Sequence, residues 1–88
     1  MEIAKRFAGN LARARKAAGL TQEQLSVRAG LNRSQVGLLE QGDRLPRLDT
    51  YVKLVGALGI PAEELLEGLK WEPTTTTEGK FEVAPPER

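Results

Sequence analysis

The apolar positions of the chain fall into short helical runs separated by glycine. Ile3, Phe7, Leu11, Ala14 and Ala18 recur every three or four residues, one face of a first helix. Gly19 follows, the residue type that suits the left-handed position just past a helix end. Thr21 with Gln24 three residues on forms a capping box, so a second helix starts at Gln22, turns Leu25 and Ala29 inward and stops at Gly30. Asn32 and Gln35 repeat that spacing and open a third helix, 33–41, with Val36 and Leu39 inward and Gly42 after it. Residues 42–47 read as a loop. A fourth helix carries Leu48, Tyr51, Val52, Leu54, Val55 and Leu58 as its apolar set, with Gly59 behind it. Pro61 suits the first turn of a fifth helix, whose core candidates are Leu65, Leu66 and Leu69. Gly9, Gly37 and Gly56 fall inside helices, each costing ~1 kcal/mol against alanine, which points to close helix packing or close approach of a ligand.

The pattern changes at Lys70. Trp71-Glu72-Pro73 precedes four threonines, and Lys80-Phe81-Glu82-Val83 alternates polar and apolar, the period of a strand. Two short strands, 71–73 and 80–83, around a threonine-rich loop fit this segment; so does a disordered tail. An isolated hairpin is marginal in water, so strands here need cover, from the chain's own helices or from a second subunit. Ala84–Arg88 should fray. The organisation expected is thus a helical unit over 1–69 and an extension over 70–88.

Composition narrows the chemistry. The 88 residues make one small domain, without cysteine or histidine. That removes disulfides, thiolate zinc sites, thiol nucleophiles and the usual neutral-pH base together. Phosphate-binding glycine loops and metal-ligand clusters are missing from the sequence, so neither an enzyme nor a metal or other cofactor is expected. No apolar run is long enough to span a membrane, and the first residues, which mix charge with apolar side chains, do not read as a secretory signal. A soluble intracellular protein is the expectation. The net charge of +1 conceals an asymmetry: residues 1–47 hold nine basic and four acidic side chains, residues 48–88 four basic and eight acidic. A basic half set against an acidic half suits a module that binds a polyanion through one face, although chance clustering on a solvated surface gives the same count.

The motif lies across helices two and three. Within Gln22–Gln41, Leu25 is followed by the small Ser26, then Ala29, Gly30 and Leu31, then Val36 and Leu39. A small residue at Ser26 lets two helices cross closely, Gly30 makes the tight turn, and the apolar positions hold the interhelical angle. This is the helix-turn-helix arrangement, in which the second helix enters the DNA major groove.

Leu20-Thr-Gln-Glu-Gln-Leu25, Ala29-Gly-Leu-Asn-Arg-Ser34, Leu39-Glu-Gln-Gly42 and Val55-Gly-Ala-Leu-Gly-Ile60 resemble the lambda-repressor/Cro-like (XRE) helix-turn-helix family over about residues 5–69. The resemblance implies an all-α, five-helix DNA-binding domain that acts as a symmetric dimer on double-stranded DNA and represses transcription, in the cytoplasm of a prokaryote or in a phage, associated with the nucleoid. It suggests base reading by Asn32, Arg33, Ser34, Gly37 and Leu38. Arg33 is the best candidate, because its fork matches guanine O6 and N7. Leu38 would meet a thymine methyl, and Gly37 would let the helix approach the groove floor. Phosphate contacts fall to Thr21, Gln22 and Gln41 and, after the recognition helix, to Arg44 and Arg47. Arg15 and Glu40 match a family ion pair that ties the first helix to the third.

Some features depart from the family. Arg47 stands where serine or threonine commonly caps the fourth helix, Asp43 lowers the charge of a usually more basic loop, and Gly37 with Leu38 makes the reading face unusually apolar. Leu65, Leu66, Leu69, Trp71, Phe81 and Val83 exceed what so small a core needs and are the expected dimer interface. Two function classes follow: a transcriptional regulator on a two-fold operator, and an antitoxin-type or other interaction module whose C-terminal tail binds a protein partner.

Overall fold

The computed structural model describes residues 1–75 and 78–84. Their elements are α1 (Glu2–Ala17), α2 (Gln22–Arg28), α3 (Gln35–Glu40), α4 (Leu48–Leu58), a 3-10 helix (Ala62–Leu66), β1 (Leu69–Glu72) and β2 (Lys80–Val83). The helix ends follow the polar punctuation. Thr21 Oγ1 accepts the Gln24 N–H at 3.0 Å while Gln24 Oε1 accepts the Thr21 N–H at 2.9 Å, which closes the capping box of α2. Before α3, Asn32 Oδ1 accepts from both the N–H and the hydroxyl of Ser34, and the Gln35 N–H goes to the Asn32 carbonyl at 2.9 Å. One turn therefore precedes α3, and residues 33 and 34, expected inside the helix, lie in that turn.

Four α-helices stand where five were expected. Pro61 occupies the extended N-cap position and not a first helical turn, and Gly68 turns left-handed at φ +83° soon after, so only Ala62–Leu66 remain between them. Their bonds span three residues, Glu64 N–H to Pro61 C=O and Glu67 N–H to Glu64 C=O. The Leu65 and Glu67 carbonyls are taken by the side-chain amide of Asn10, buried on α1, at 3.0 and 2.8 Å.

Phe7, Leu11, Leu25, Val36, Leu39, Leu54 and Leu65 form the fully buried core. The rest of the expected core needs correction. On α4 the stripe Tyr51, Leu54, Val55 and Leu58 packs inward, whereas Leu48 and Val52, one turn apart, lie off that stripe and are 78% and 60% exposed. Leu66 is likewise exposed, and Leu69 is half-buried on β1. A Cβ added at Gly9 or Gly56 would meet nothing within 4 Å, so close packing does not explain those two glycines.

The C-terminal segment forms a two-stranded antiparallel sheet that pairs Leu69 with Val83, Lys70 with Glu82, Trp71 with Phe81 and Glu72 with Lys80. The first strand begins two residues earlier than expected and stops before Pro73. Trp71 and Phe81 meet edge to face with ring centroids 5.1 Å apart. Of the segment expected to fray, Pro85–Arg88 lie outside the described residues, as do Thr76 and Thr77 of the threonine loop. No described helix is long and apolar enough to cross a membrane.

Candidate nucleic-acid interface

Ser26 sets α3 against α2. It is fully buried, and its hydroxyl donates to the Gln22 carbonyl at 2.9 Å and accepts the Val36 N–H at 3.0 Å. The helix spacing asks only for a small residue here. The hydroxyl also satisfies a donor in the first turn of α3 that the crossing would otherwise bury.

A second tie joins α1 to α3. Arg15 Nε donates to Glu40 Oε2 at 2.7 Å and Nη2 to Glu40 Oε1 at 3.0 Å, with both side chains largely buried at 12% and 7% exposure. Arg15 Nη1 also holds the Leu20 carbonyl. The Glu40 hydrogen bond outweighs burial and holds the Arg15 guanidinium above its ordinary pKa, so it stays charged. Gln22 Nε2 donates to the same Glu40 Oε1 at 2.9 Å, which aims the first side chain of α2 across the surface of α3. Gly37 leaves room for it, since a Cβ there would lie 3.1 Å from Gln22 Oε1.

These ties leave an open trough between the start of α2 and the outer side of α3. It brings together Gln22, Arg33, Ser34, Gly37, Leu38 and Gln41 with the carboxylates of Glu23 and Glu40. Arg33 forms an ion pair with Glu23 on α2, both well exposed. Leu38 is half-buried, and Gln41 is exposed as the C-cap of α3. The other expected contact residues lie apart. Thr21 and Asn32 spend their side chains on caps. Arg44 is exposed in the loop, and Arg47 is the N-cap residue of α4, without a side-chain cap bond and with Nε 3.5 Å from Asp49 Oδ1. Of the expected interface residues, Leu65 lies wholly in this subunit's own core and offers nothing to a partner. Leu66, Trp71 and Phe81 are exposed, while Leu69 and Val83 are half-buried at the base of the hairpin. Among the described residues no acidic cluster is placed to hold a metal.

Sequence reasoning missed Glu23 as the partner of Arg33, because a carboxylate in a first helical turn is ordinary on capping grounds alone. It also missed Arg6 and Asn10, polar residues buried on α1. Each stands beside the apolar face, and nothing in the periodicity says that the chain end returns to meet them.

The helix-turn-helix family model HTH_3 matches residues 11–65. The chain belongs to the helix-turn-helix family of DNA-binding transcription regulators. It is 38% identical over 66 residues to the uncharacterised HTH-type transcriptional regulator y4dJ of Sinorhizobium fredii, covering 75% of this chain and 86% of that protein. It is 36% identical over 74 residues to the control protein C.SmaI of Serratia marcescens, covering 82% and 88%. Among solved structures, the restriction-modification controller protein C.AhdI of Aeromonas hydrophila superposes with a TM-score of 0.70 at 40% identity, covering 74% of this chain and 98% of that one. The C-terminal hairpin lies beyond the matched helix-turn-helix span.

Proposed function

We propose that the protein represses transcription as a homodimer on a two-fold operator, with α3 and the turn before it in the major groove and no enzymatic activity of its own. The observation that carries this reading is the trough, where Gln22, Arg33, Ser34, Leu38 and Gln41 converge on one open surface of the basic half of the chain. Arg33 reads guanine by exchanging Glu23 for O6 and N7. Ser34 adds a weakly selective hydrogen bond, Leu38 packs on a thymine methyl, and Gly37 keeps the helix surface low. Asn32 reaches the bases only through the turn that it caps. Gln22, Gln41, Arg44, Arg47 and the region of Thr21 hold phosphates, which fix register and carry no sequence information. Residues 1–69 are the DNA-binding unit, and residues 70–88 serve subunit contact. Similarity to a control protein and to a restriction-modification controller protein supports a role in gene control, exercised on the cytoplasmic nucleoid.

Selection from a random pool of duplex DNA at one near-physiological salt concentration tests this, the salt being fixed because phosphate contacts alone can dominate affinity. The expected result is an inverted repeat with half-sites ~34 Å apart, one helical turn. Folded protein that enriches no sequence would overturn the operator reading.

A further inference from the structure

The hairpin is held at its base, and Trp71 and Phe81 beyond the base are exposed. Arg6, buried on α1, donates to the Glu67 carbonyl at 3.1 Å and to the Ala84 carbonyl at 2.6 Å. A Cβ at Gly68 would lie 2.6 Å from that guanidinium, so the left-handed glycine lets β1 leave beside it. The two strands therefore leave the helical body at a defined place. Leu69 and Val83 are half-buried there, while Trp71 and Phe81 beyond them are 51% and 54% exposed. Cross-strand pairing puts these four apolar side chains on one face and Lys70, Glu72, Lys80 and Glu82 on the other.

Hydrogen-bond parity distinguishes the two outer edges. The Ala84 N–H bonds to the Gly68 carbonyl at 2.8 Å, which makes that a bonded pair. Bonded and non-bonded pairs alternate in an antiparallel ladder. The N–H and C=O of Phe81 and Val83 therefore turn away from β1, and those of Leu69 and Trp71 turn away from β2. The β1 edge is spoiled by Pro73, which has no N–H at the next outward-facing position. The β2 edge carries no proline from Gly79 to Ala84. An open groove lies beside its end, between Val83 and Ala84 and the α1 residues Glu2, Lys5, Gly9 and Arg13.

We propose that β2 pairs with β2 of a second copy, antiparallel about a two-fold axis at Phe81, to give one four-stranded sheet in the order β1-β2-β2-β1. The charges select this register. Centred on Phe81, each Lys80 stands opposite Glu82 of the other copy, whereas centring on Lys80 or Glu82 sets like charges face to face. The same register makes Phe81–Phe81 and Val83–Gly79 the bonded pairs, as the outward parity requires. It also joins the two Trp71–Phe81 pairs into one aromatic face. The inference rests on the homodimer reading above and names the contact that makes the dimer.

Two variants of the full chain test it. Val83→Pro removes an outward N–H and leaves the hairpin's own ladder intact. In Lys80→Cys/Glu82→Cys, the paired positions of the two copies stand at the ~4.5 Å Cα separation of a non-bonded pair, within disulfide reach. Native cysteine is lacking, so every disulfide joins introduced positions, and peptide mapping that links position 80 of one copy to position 82 of the other reports this pairing. At about 100 μM in the ultracentrifuge the parent chain should sediment as a dimer. Val83→Pro should sediment as a monomer with its far-UV helical circular dichroism kept and a melting temperature that no longer rises with protein concentration, and the double-cysteine variant should oxidise to a covalent dimer. A dimer that survives Val83→Pro without cross-linking would overturn the β2 contact and leave the operator reading intact. A parent chain that sediments as a monomer would overturn the contact and the dimer together.

Discussion

At the scale of single residues, Arg15 and Tyr51 tie distant parts of the chain to the core. Arg15 and Glu40 face each other in two hydrogen bonds with little solvent access, so removing either leaves an uncompensated charge. Arg15→Ala or Glu40→Ala is expected to cost ~3–5 kcal/mol in urea unfolding, and the apolar double variant Arg15→Met/Glu40→Leu much less than the sum. Single losses below ~1 kcal/mol would mean that the pair behaves as a solvated surface contact. Tyr51 packs its ring near Phe7 and donates its hydroxyl to the Ala62 carbonyl, joining α4 to the 3-10 helix. Burial first, and the Glu63 charge second, raise its pKa above the ordinary 10.0. The neutral phenol is thus the form that the fold favours. Its contribution is complete below the unfolded pKa of about 10 and is lost as pH rises through the higher folded value. Urea midpoints should fall more steeply for the parent chain than for Tyr51→Phe as pH rises above about 10. Parallel curves would remove Tyr51 from the alkaline response.

At the scale of elements, the site depends on how α2 meets α3. Gly37 is the sensitive position, because an added methyl presses on the Gln22 carboxamide that Glu40 holds across the helix. Gly37→Ala should leave stability unchanged or raise it by up to ~1 kcal/mol through helix propensity, yet weaken binding to every DNA sequence. Gly56→Ala, with open space around its Cβ, should show the same propensity gain without the loss of DNA binding. Equal DNA affinity for the two variants would sever the link between Gly37 and Gln22. The same elements show what the sequence carries locally. Thr21, Gln24, Asn32 and the glycines speak for helix ends within a few residues, so α1 to α4 and their order were readable from it. The fifth helix was legible only in part: Pro61 and Gly68 bound its segment in the sequence, but the capture of its backbone carbonyls by Asn10, fifty-five positions from Leu65, was not. Leu48 and Val52 read as core because periodicity counts apolar positions without knowing how wide a stripe the neighbours cover. Residue types marked the trough, but the Glu23–Arg33 pair and the Ser26 hydrogen bonds arise only when the turn brings α2 and α3 together.

At the scale of the molecule, a basic amino-terminal half presents the trough while the acidic remainder carries the hairpin. Near-neutral net charge thus conceals an unequal distribution of charge along the chain. In the proposed division of labour, Arg33 selects a base, whereas Gln22 in the trough and Arg44 and Arg47 outside it position the protein on the backbone. Duplex selection run in parallel on the parent chain, Arg33→Ala and Gln22→Ala tests this division most directly. Arg33→Ala is expected to keep an inverted repeat but to lose its preference for guanine at one symmetry-related position in each half-site, while Gln22→Ala keeps the full motif with weaker retention. An unchanged motif for Arg33→Ala would contradict it, and base reading would then have to lie elsewhere in the trough.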